Sequence, residues 1–372
     1  MFENLEIPKE LIPSDPRFGC GPSLIPVDFL TKLVQTDKTL LGTSHRKSKV
    51  KNVVKEIQEG LRSYFGVPSD YVVALGNGGA TLLFDAVALT LVKNKIAHFT
   101  CGEFSNKWYL SSKMVPWIKS AEIAVPFGNG ITPTDVPDAD VIAMTLNETS
   151  TGVIIDKIPT VTGDKLIAVD GTSGAGQTYC DVNQTDFFFF SPQKVFASEG
   201  GLWVALISPK GVKRINEIAA DKSRYIPEIF SLKLAVENGL LNQTYNTPSI
   251  TTLFFLNEQV KLLNKFGYKE VVNLANKKAD LVYNWAETKP YLSAYIKEKK
   301  YRSNAVACID VDDKVPTLEL VEKLAKLNVC NGIDAYRKLG RNQFRISLFH
   351  NISYGDLEKL TKLLSYSIEK AL

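Results

Sequence analysis

Thr185-Asp-Phe-Phe-Phe-Phe190-Ser-Pro-Gln-Lys194 is the stretch from which the fold is read. Four consecutive phenylalanines form a strongly apolar strand pattern that runs straight into Ser191, Pro192, Gln193 and Lys194. An amine at the end of a buried strand is partly desolvated, which disfavours its ammonium form and lowers its pKa. A lysine so treated becomes a nucleophile toward a carbonyl. Upstream, Lys165-Leu-Ile-Ala-Val-Asp170 is a second apolar strand pattern, and it ends in a carboxylate. The ends of parallel strands open on one crevice, so Lys194 and Asp170 are expected to face each other's neighbourhood. Taken singly, each has a plainer explanation: a solvated lysine, and an aspartate capping the next helix.

Outward from this pair the same pattern repeats. Short apolar runs at 71–75, 96–99, 122–125, 141–144, 166–169, 187–190 and 202–207 alternate with helical spacing at 49–65, 80–91 and 105–117. Strands alternating with helices predict an α/β domain around a mostly parallel seven-stranded sheet covered on both faces. After about residue 250 the character changes. Long helical patterns at 251–266 and 268–287 precede a strand, helix, strand and helix at 305–311, 318–327, 344–348 and 356–372, which predict a smaller α+β domain. The expected division is a large domain at 16–255 and a small one at 256–372, with an arm at 1–15 rich in proline and glycine nearby.

Bulk properties exclude several classes. A net charge of +4, from 44 basic and 40 acidic residues, is too small to argue for nucleic acid. The five cysteines form no CxxC pair, and with three histidines no zinc or other metal site is expected. No run of about 18 apolar residues occurs, and Met1-Phe-Glu-Asn-Leu-Glu lacks a signal peptide's basic and apolar regions. The expectation is a cytoplasmic enzyme with neither membrane nor nucleic-acid partners.

Several motifs fall at the predicted strand ends. Gly76-Asn-Gly-Gly-Ala80-Thr81 is a glycine-rich strand-to-helix turn, and so a candidate phosphate cradle or an ordinary tight turn. Phe104 follows the next strand, placed to stack on a flat ring or to pack in the core. Thr145-Leu-Asn-Glu-Thr149-Ser-Thr-Gly152 is dense in polar groups that reach a cofactor or cap a helix. Asn246 and Thr247, before Pro248, donate to a phosphate or cap the following helix. His45-Arg46, Arg337 and Arg345 are basic groups suited to carboxylates and phosphates, or to surface ion pairs. Strand alternation puts Arg345 on the face opposite Phe344 and Ile346. A Schiff-base lysine near a strand-end carboxylate suits pyridoxal 5'-phosphate, whose ring nitrogen wants an anionic partner.

In order along the chain, Gly42-Thr-Ser-His-Arg46, Gly76-Asn-Gly-Gly-Ala-Thr81, Asn147-Glu-Thr-Ser-Thr-Gly152, Ser191-Pro-Gln-Lys194 and Tyr245-Asn-Thr-Pro248 resemble the phosphoserine aminotransferases. These are class V, fold-type I pyridoxal-phosphate enzymes, and the likeness is to their actinobacterial form. Asp170 and Lys194 stand 24 positions apart, as the corresponding pair does in that family. The resemblance implies a homodimer with shared active sites that moves an amino group reversibly between glutamate/2-oxoglutarate and 3-phosphooxypyruvate/O-phospho-L-serine. In some relatives 4-phosphooxy-L-threonine is a further substrate. It implies that Lys194 holds the cofactor as a Schiff base and shuttles a proton, and that Asp170 pairs with the ring nitrogen. Phe104 would stack on the ring and Thr149 contact its 3-hydroxyl region. Ala80, Thr81 and Gln193 would hold the phosphate, joined by Asn246 and Thr247 of the neighbouring subunit. Arg345 would clamp the substrate α-carboxylate, and His45, Arg46 and Arg337 its phosphate or distal carboxylate. Three positions depart from relatives: Cys20 replaces a serine, Thr81 an arginine and Tyr336 a histidine. Rival readings are an alanine–glyoxylate-type aminotransferase, a cysteine desulfurase using Cys330, or a non-catalytic phosphate-binding relative.

Overall fold

The computed structural model of the chain describes residues 1–36 and 38–372. Seven strands form the central sheet: β1 (Val72–Asn77), β2 (Lys95–Thr100), β3 (Lys119–Ala124), β4 (Val141–Thr145), β7 (Leu166–Asp170), β8 (Phe187–Phe190) and β9 (Leu202–Ile207). Between β4 and β7 a small ladder pairs β5 (Asn147–Glu148) with β6 (Val153–Ile154). The order across the sheet is β1-β9-β8-β7-β4-β2-β3. All neighbours from β8 to β3 pair parallel, and β9 runs against both β1 and β8. The seven expected strands are all present, and β9 is the antiparallel member.

Every residue of β4, β7, β8 and β9 is buried, because helices cover both faces of the sheet. The four phenylalanines serve both sides, since successive side chains point to opposite faces. Phe188 and Phe190 join a core with α2 (Ser48–Phe65) and α7 (Ile250–Phe266). Phe187 and Phe189 join the other, with α3 (Ala80–Thr90), α4 (Glu103–Lys113), α5 (Pro209–Ala220) and α6 (Leu232–Leu240). Burying each such ring contributes about 1.5–3 kcal/mol, which anchors β8 beside the site.

The C-terminal region has its own antiparallel sheet in the order β10-β11-β12, formed by β10 (Leu292–Ala294), β11 (Val306–Val311) and β12 (Gln343–Ser347). Helices α8 (Tyr268–Thr288), α9 (Thr317–Lys326) and α10 (Tyr354–Glu369) pack with it, and Phe2, Leu5 and Phe18 enter the same core. The arm is fastened there: Ser14 donates its backbone N–H and its hydroxyl to the Asp356 carboxylate at 2.6–2.8 Å. Helix α7 runs through position 255, and its Val260 and Leu263 pack in the central-sheet core. Helix α1 (Val27–Gln35), α5, α6 and β10 lie outside the sequence expectation. Among the described residues no helix is long and apolar enough to cross a membrane.

Candidate active site

Six of the seven central strands run in one direction, so β1, β2, β4, β7 and β8 all end on the same edge, where β9 begins. A cavity of about 220 Å³ opens there. Lys194, Gln193 and Ser191 reach it from the end of β8, Asp170, Thr172 and Ser173 from the end of β7. Thr145, Asn147 and Thr149 come from β4 and the turn beyond it, Phe104 from the start of α4, and Gly78 to Thr81 from the β1–α3 turn. Seven of the sequence-derived candidates therefore line this one cavity: Ala80, Thr81, Phe104, Thr149, Asp170, Gln193 and Lys194.

Burial lowers the Lys194 pKa to about 8, and its Nζ donates to the Cys20 carbonyl at 2.6 Å. The chain lies so close here that a Cβ on Gly21, whose φ is +133°, would collide with the Lys194 ammonium. Burial pushes the Asp170 carboxyl the other way, up to about 6, against the hydrogen bonds from Thr172. Those come from the Thr172 N–H at 2.9 Å and its hydroxyl at 2.5 Å. Base and acid shift in opposite directions for one reason: both charged forms lose water.

The β1–α3 turn is built for close approach to an anion. Gly78 and Gly79 have φ of 111° and 79°, the region that favours glycine. Ser191 Oγ donates to the Leu202 carbonyl at 2.9 Å and accepts from the Ala80 N–H at 3.1 Å, tying the start of α3 to β8 and β9. The N-terminus of α3 then faces the cavity, where its dipole favours negative charge. Nearby, the hydroxyl of Thr149 and the amide of Asn147 each donate to Ser173 Oγ at 2.7 Å. Phe104 is set by its backbone: its N–H and that of Ser105 donate to the fully buried Glu148 carboxylate at 3.1 and 2.9 Å.

Arg345 sits on β12 with Phe344 and Ile346 turned into the C-terminal core, as strand alternation requires. Its Nη1 donates to the Thr149 carbonyl at 3.4 Å, which brings it to the cavity edge. The remaining candidates do not line the cavity. His45 is buried, with Nδ1 3.2 Å from Thr247 Oγ1, and Asn77 donates to the Thr247 carbonyl at 2.9 Å. Arg46, Asn246 and Arg337 are exposed. Sequence reasoning missed Glu148 as the anchor of α4, Ser173 as the partner of Thr149, and Thr172 as the support of Asp170. The polar run Gly171-Thr-Ser173 directly after a strand was the legible signal for the last two.

A family model described as aminotransferase class-V matches residues 21–331. Among curated relatives, the phosphoserine aminotransferase of Corynebacterium glutamicum (strain R) is 42% identical over 98% of this chain and 97% of its own. The chain belongs to the class-V aminotransferases, in their phosphoserine aminotransferase family. The putative phosphoserine aminotransferase of Mycobacterium leprae is also 42% identical, over 99% of this chain and 98% of its own. Among solved structures, a phosphoserine aminotransferase from Cytophaga hutchinsonii superposes with a TM-score of 0.87 at 25% identity, covering 95% of this chain and 99% of that one.

The cofactor of this aminotransferase is pyridoxal phosphate, and the cavity's donor set fits it. Thr145 Oγ1, Asn147 Oδ1 and Gln193 Oε1 are buried without hydrogen-bond partners, as polar atoms awaiting a ligand are. The helix N-terminus suits its phosphate, and the desolvated amine suits its aldehyde. A pH dependence follows. In the stripped enzyme the free-base fraction of Lys194 rises about tenfold per pH unit below 8 and saturates above it. The rate at which pyridoxal phosphate regains its visible band should rise with pH and level off above about 8. A rate still climbing near pH 10, the range of an ordinary lysine, would contradict this.

Proposed function

We propose that Lys194, Asp170 and the arginines carry out a transamination in two halves at one site. Glutamate gives up its amino group and leaves as 2-oxoglutarate; 3-phosphooxypyruvate takes the group and leaves as O-phospho-L-serine. Full-length identity to phosphoserine aminotransferases supports the substrate pair, and the desolvated Lys194 beside Asp170 in one cavity is the observation that carries the chemistry. When bound, pyridoxal phosphate supplies an aldehyde that accepts amino groups and a ring that withdraws electrons.

The residues divide the remaining work. Lys194 anchors the cofactor and, as a free base, moves the proton at the substrate Cα. Asp170 presents negative charge to the ring nitrogen, held in line by Thr172. Phe104 covers the ring face, and Glu148 keeps the start of α4 in place beneath it. Ala80, Thr81 and Gln193 hold the phosphate. Among the described residues no arginine lines the cavity, so backbone amides and the α3 dipole carry that load within one chain.

His45, Thr247 and their exposed neighbours Arg46 and Asn246 form a cluster outside the lining of the chain's own cavity. A homodimer in which this cluster completes the partner's site gives those groups an anion to bind. The enzyme works in the cytoplasm, and its large and small domains divide after α7 rather than at residue 255, because that helix packs on the central sheet. Both substrates carry an α-carboxylate and a second anion further out. Arg345 serves the first, and Arg46, His45 and Arg337 the second.

This division is testable by substitution. Arg345→Gln should lower kcat/KM for glutamate and phosphoserine alike, by about 10²-fold for loss of a charged pair. Arg46→Gln and Arg337→Gln should lower it for phosphoserine about tenfold more than for glutamate. Equal losses for both substrates in the last two variants would refute the split. A panel of phosphoserine, 4-phosphooxy-L-threonine, alanine and cysteine as amino donors tests the substrate itself. Alanine outperforming phosphoserine would return the alanine–glyoxylate reading.

A further inference from the structure

Arg345 has little to hold its guanidinium. Among the described residues the guanidinium makes one hydrogen bond, the 3.4 Å contact to the Thr149 carbonyl; its Nε is buried without a partner, and no carboxylate pairs with it. A guanidinium offers five donors on a long flexible stem, so a clamp of defined geometry needs something else to lie against. That neighbour is Tyr336, whose ring lies 5.2 Å from the guanidinium carbon. The same ring meets Phe104, with centroids 6.0 Å apart and planes tilted by 57°. The loop carrying Tyr336 is itself tied down. Lys338, two residues on, forms an ion pair with Glu103, the first residue of α4. Cofactor-facing Phe104 and substrate-facing Arg345 thus meet through one half-buried tyrosine, on a loop fastened to the helix that bears Phe104.

We propose that Tyr336 is a positioning residue for the carboxylate clamp: its ring is the shelf that holds Arg345 aimed into the cavity, and the Lys338–Glu103 pair keeps that shelf in place. The proposal rests on Arg345 being the clamp. A ring face under a guanidinium restricts it without neutralising it, so the cation stays available for an incoming carboxylate. Pre-arranging the arginine lowers the ordering cost at binding, which shows in KM for both substrates rather than in turnover. A phenylalanine would serve as well as a tyrosine, because the shelf uses the ring and not the hydroxyl.

The test uses the cofactor-loaded enzyme and four variants: Tyr336→Leu, Tyr336→Phe, Lys338→Ala and Arg345→Gln. Steady-state KM and kcat are measured for glutamate and phosphoserine, and glutarate, an unreactive dicarboxylate without an amino group, is titrated by calorimetry. Tyr336→Leu should raise both KM values about 3- to 30-fold and weaken glutarate equally, the range of a cation–π contact. Its kcat should stay within about twofold, and the visible spectrum should not change. Tyr336→Phe should match the parent, and Lys338→Ala should raise both KM values by a smaller factor. Unchanged KM and glutarate affinity in Tyr336→Leu, with Arg345→Gln weakened, would overturn the shelf alone. Unchanged binding in Arg345→Gln would overturn the clamp reading beneath it. Tyr336→Phe losing as much as Tyr336→Leu, or losing phosphoserine only, would assign the role to the hydroxyl and overturn the proposal. If Tyr336→Leu does not fold, Lys338→Ala with unchanged KM has the same force.

Discussion

Lys194→Ala should lower turnover by about 10³-fold or more, the scale on which removing a positioned proton-transfer group acts. Two functions leave with the one amine. The covalent anchor for the cofactor aldehyde goes, and so does the free base at the Cα proton. Lys194 is the one lysine that lines the cavity among the described residues, so no neighbour substitutes for it. The bound cofactor should also lose its lysine-dependent visible band. The fold should not suffer. The pKa of about 8 records that burial disfavours the Lys194 ammonium. A lysine whose folded pKa lies below its unfolded value of 10.5 binds its proton more weakly when folded, so at neutral pH, below both values, its protonation favours the unfolded state. The melting temperature of the stripped variant should therefore not fall. Retained activity in Lys194→Ala would end the assignment, and loss of activity accompanied by a collapsed melting transition would leave the chemical role without support.

Asp170→Asn should cost about 10²- to 10³-fold in turnover at saturating cofactor. Leaving one member of a buried ion pair unmatched costs about 3 kcal/mol or more, and each 1.36 kcal/mol is tenfold in rate. The asparagine keeps the shape of the site and still accepts a hydrogen bond from Thr172, so the change isolates the negative charge. In the parent, burial pushes the carboxyl up to about 6. A ring nitrogen that holds its proton lowers it again, since an opposite charge at close range favours the carboxylate. Cofactor affinity of the stripped enzyme should consequently drop as pH falls below about 6 in the parent, and that dependence should vanish in Asp170→Asn. Full turnover in the variant, once cofactor is saturating, would remove Asp170 from the mechanism and leave it a binding role only.

How far the chain could be read before folding is visible in particular elements. The phenylalanines of β8 announced a fully buried strand, because an apolar run with no polar face has to be covered on both sides. The long amphipathic α2 and α8 were legible from their spacing. Helix α5 lies outside the sequence expectation although Ser208 caps it and Pro209 opens it, because that start signal is carried by two residues directly after a strand. Helix α7 straddles the expected domain boundary because its apolar face packs against the central sheet, a choice of partner that no local pattern encodes.

At the site the same line divides residue types. The sequence by itself determined which groups stand at strand ends: Lys194, Asp170, Thr149, Phe104 and the Ala80–Thr81 turn, because parallel strands deliver their ends to one edge. It also determined the kind of chemistry, since order and spacing of those motifs follow a known family. Only the tertiary structure decided what each group meets. It set the Cys20 carbonyl against Lys194, Thr172 under Asp170, Glu148 behind Phe104 and Tyr336 against Arg345. Those partners lie between 2 and 174 positions away along the chain, and desolvation, which moves both pKa values, belongs to the packed cavity and to no residue alone.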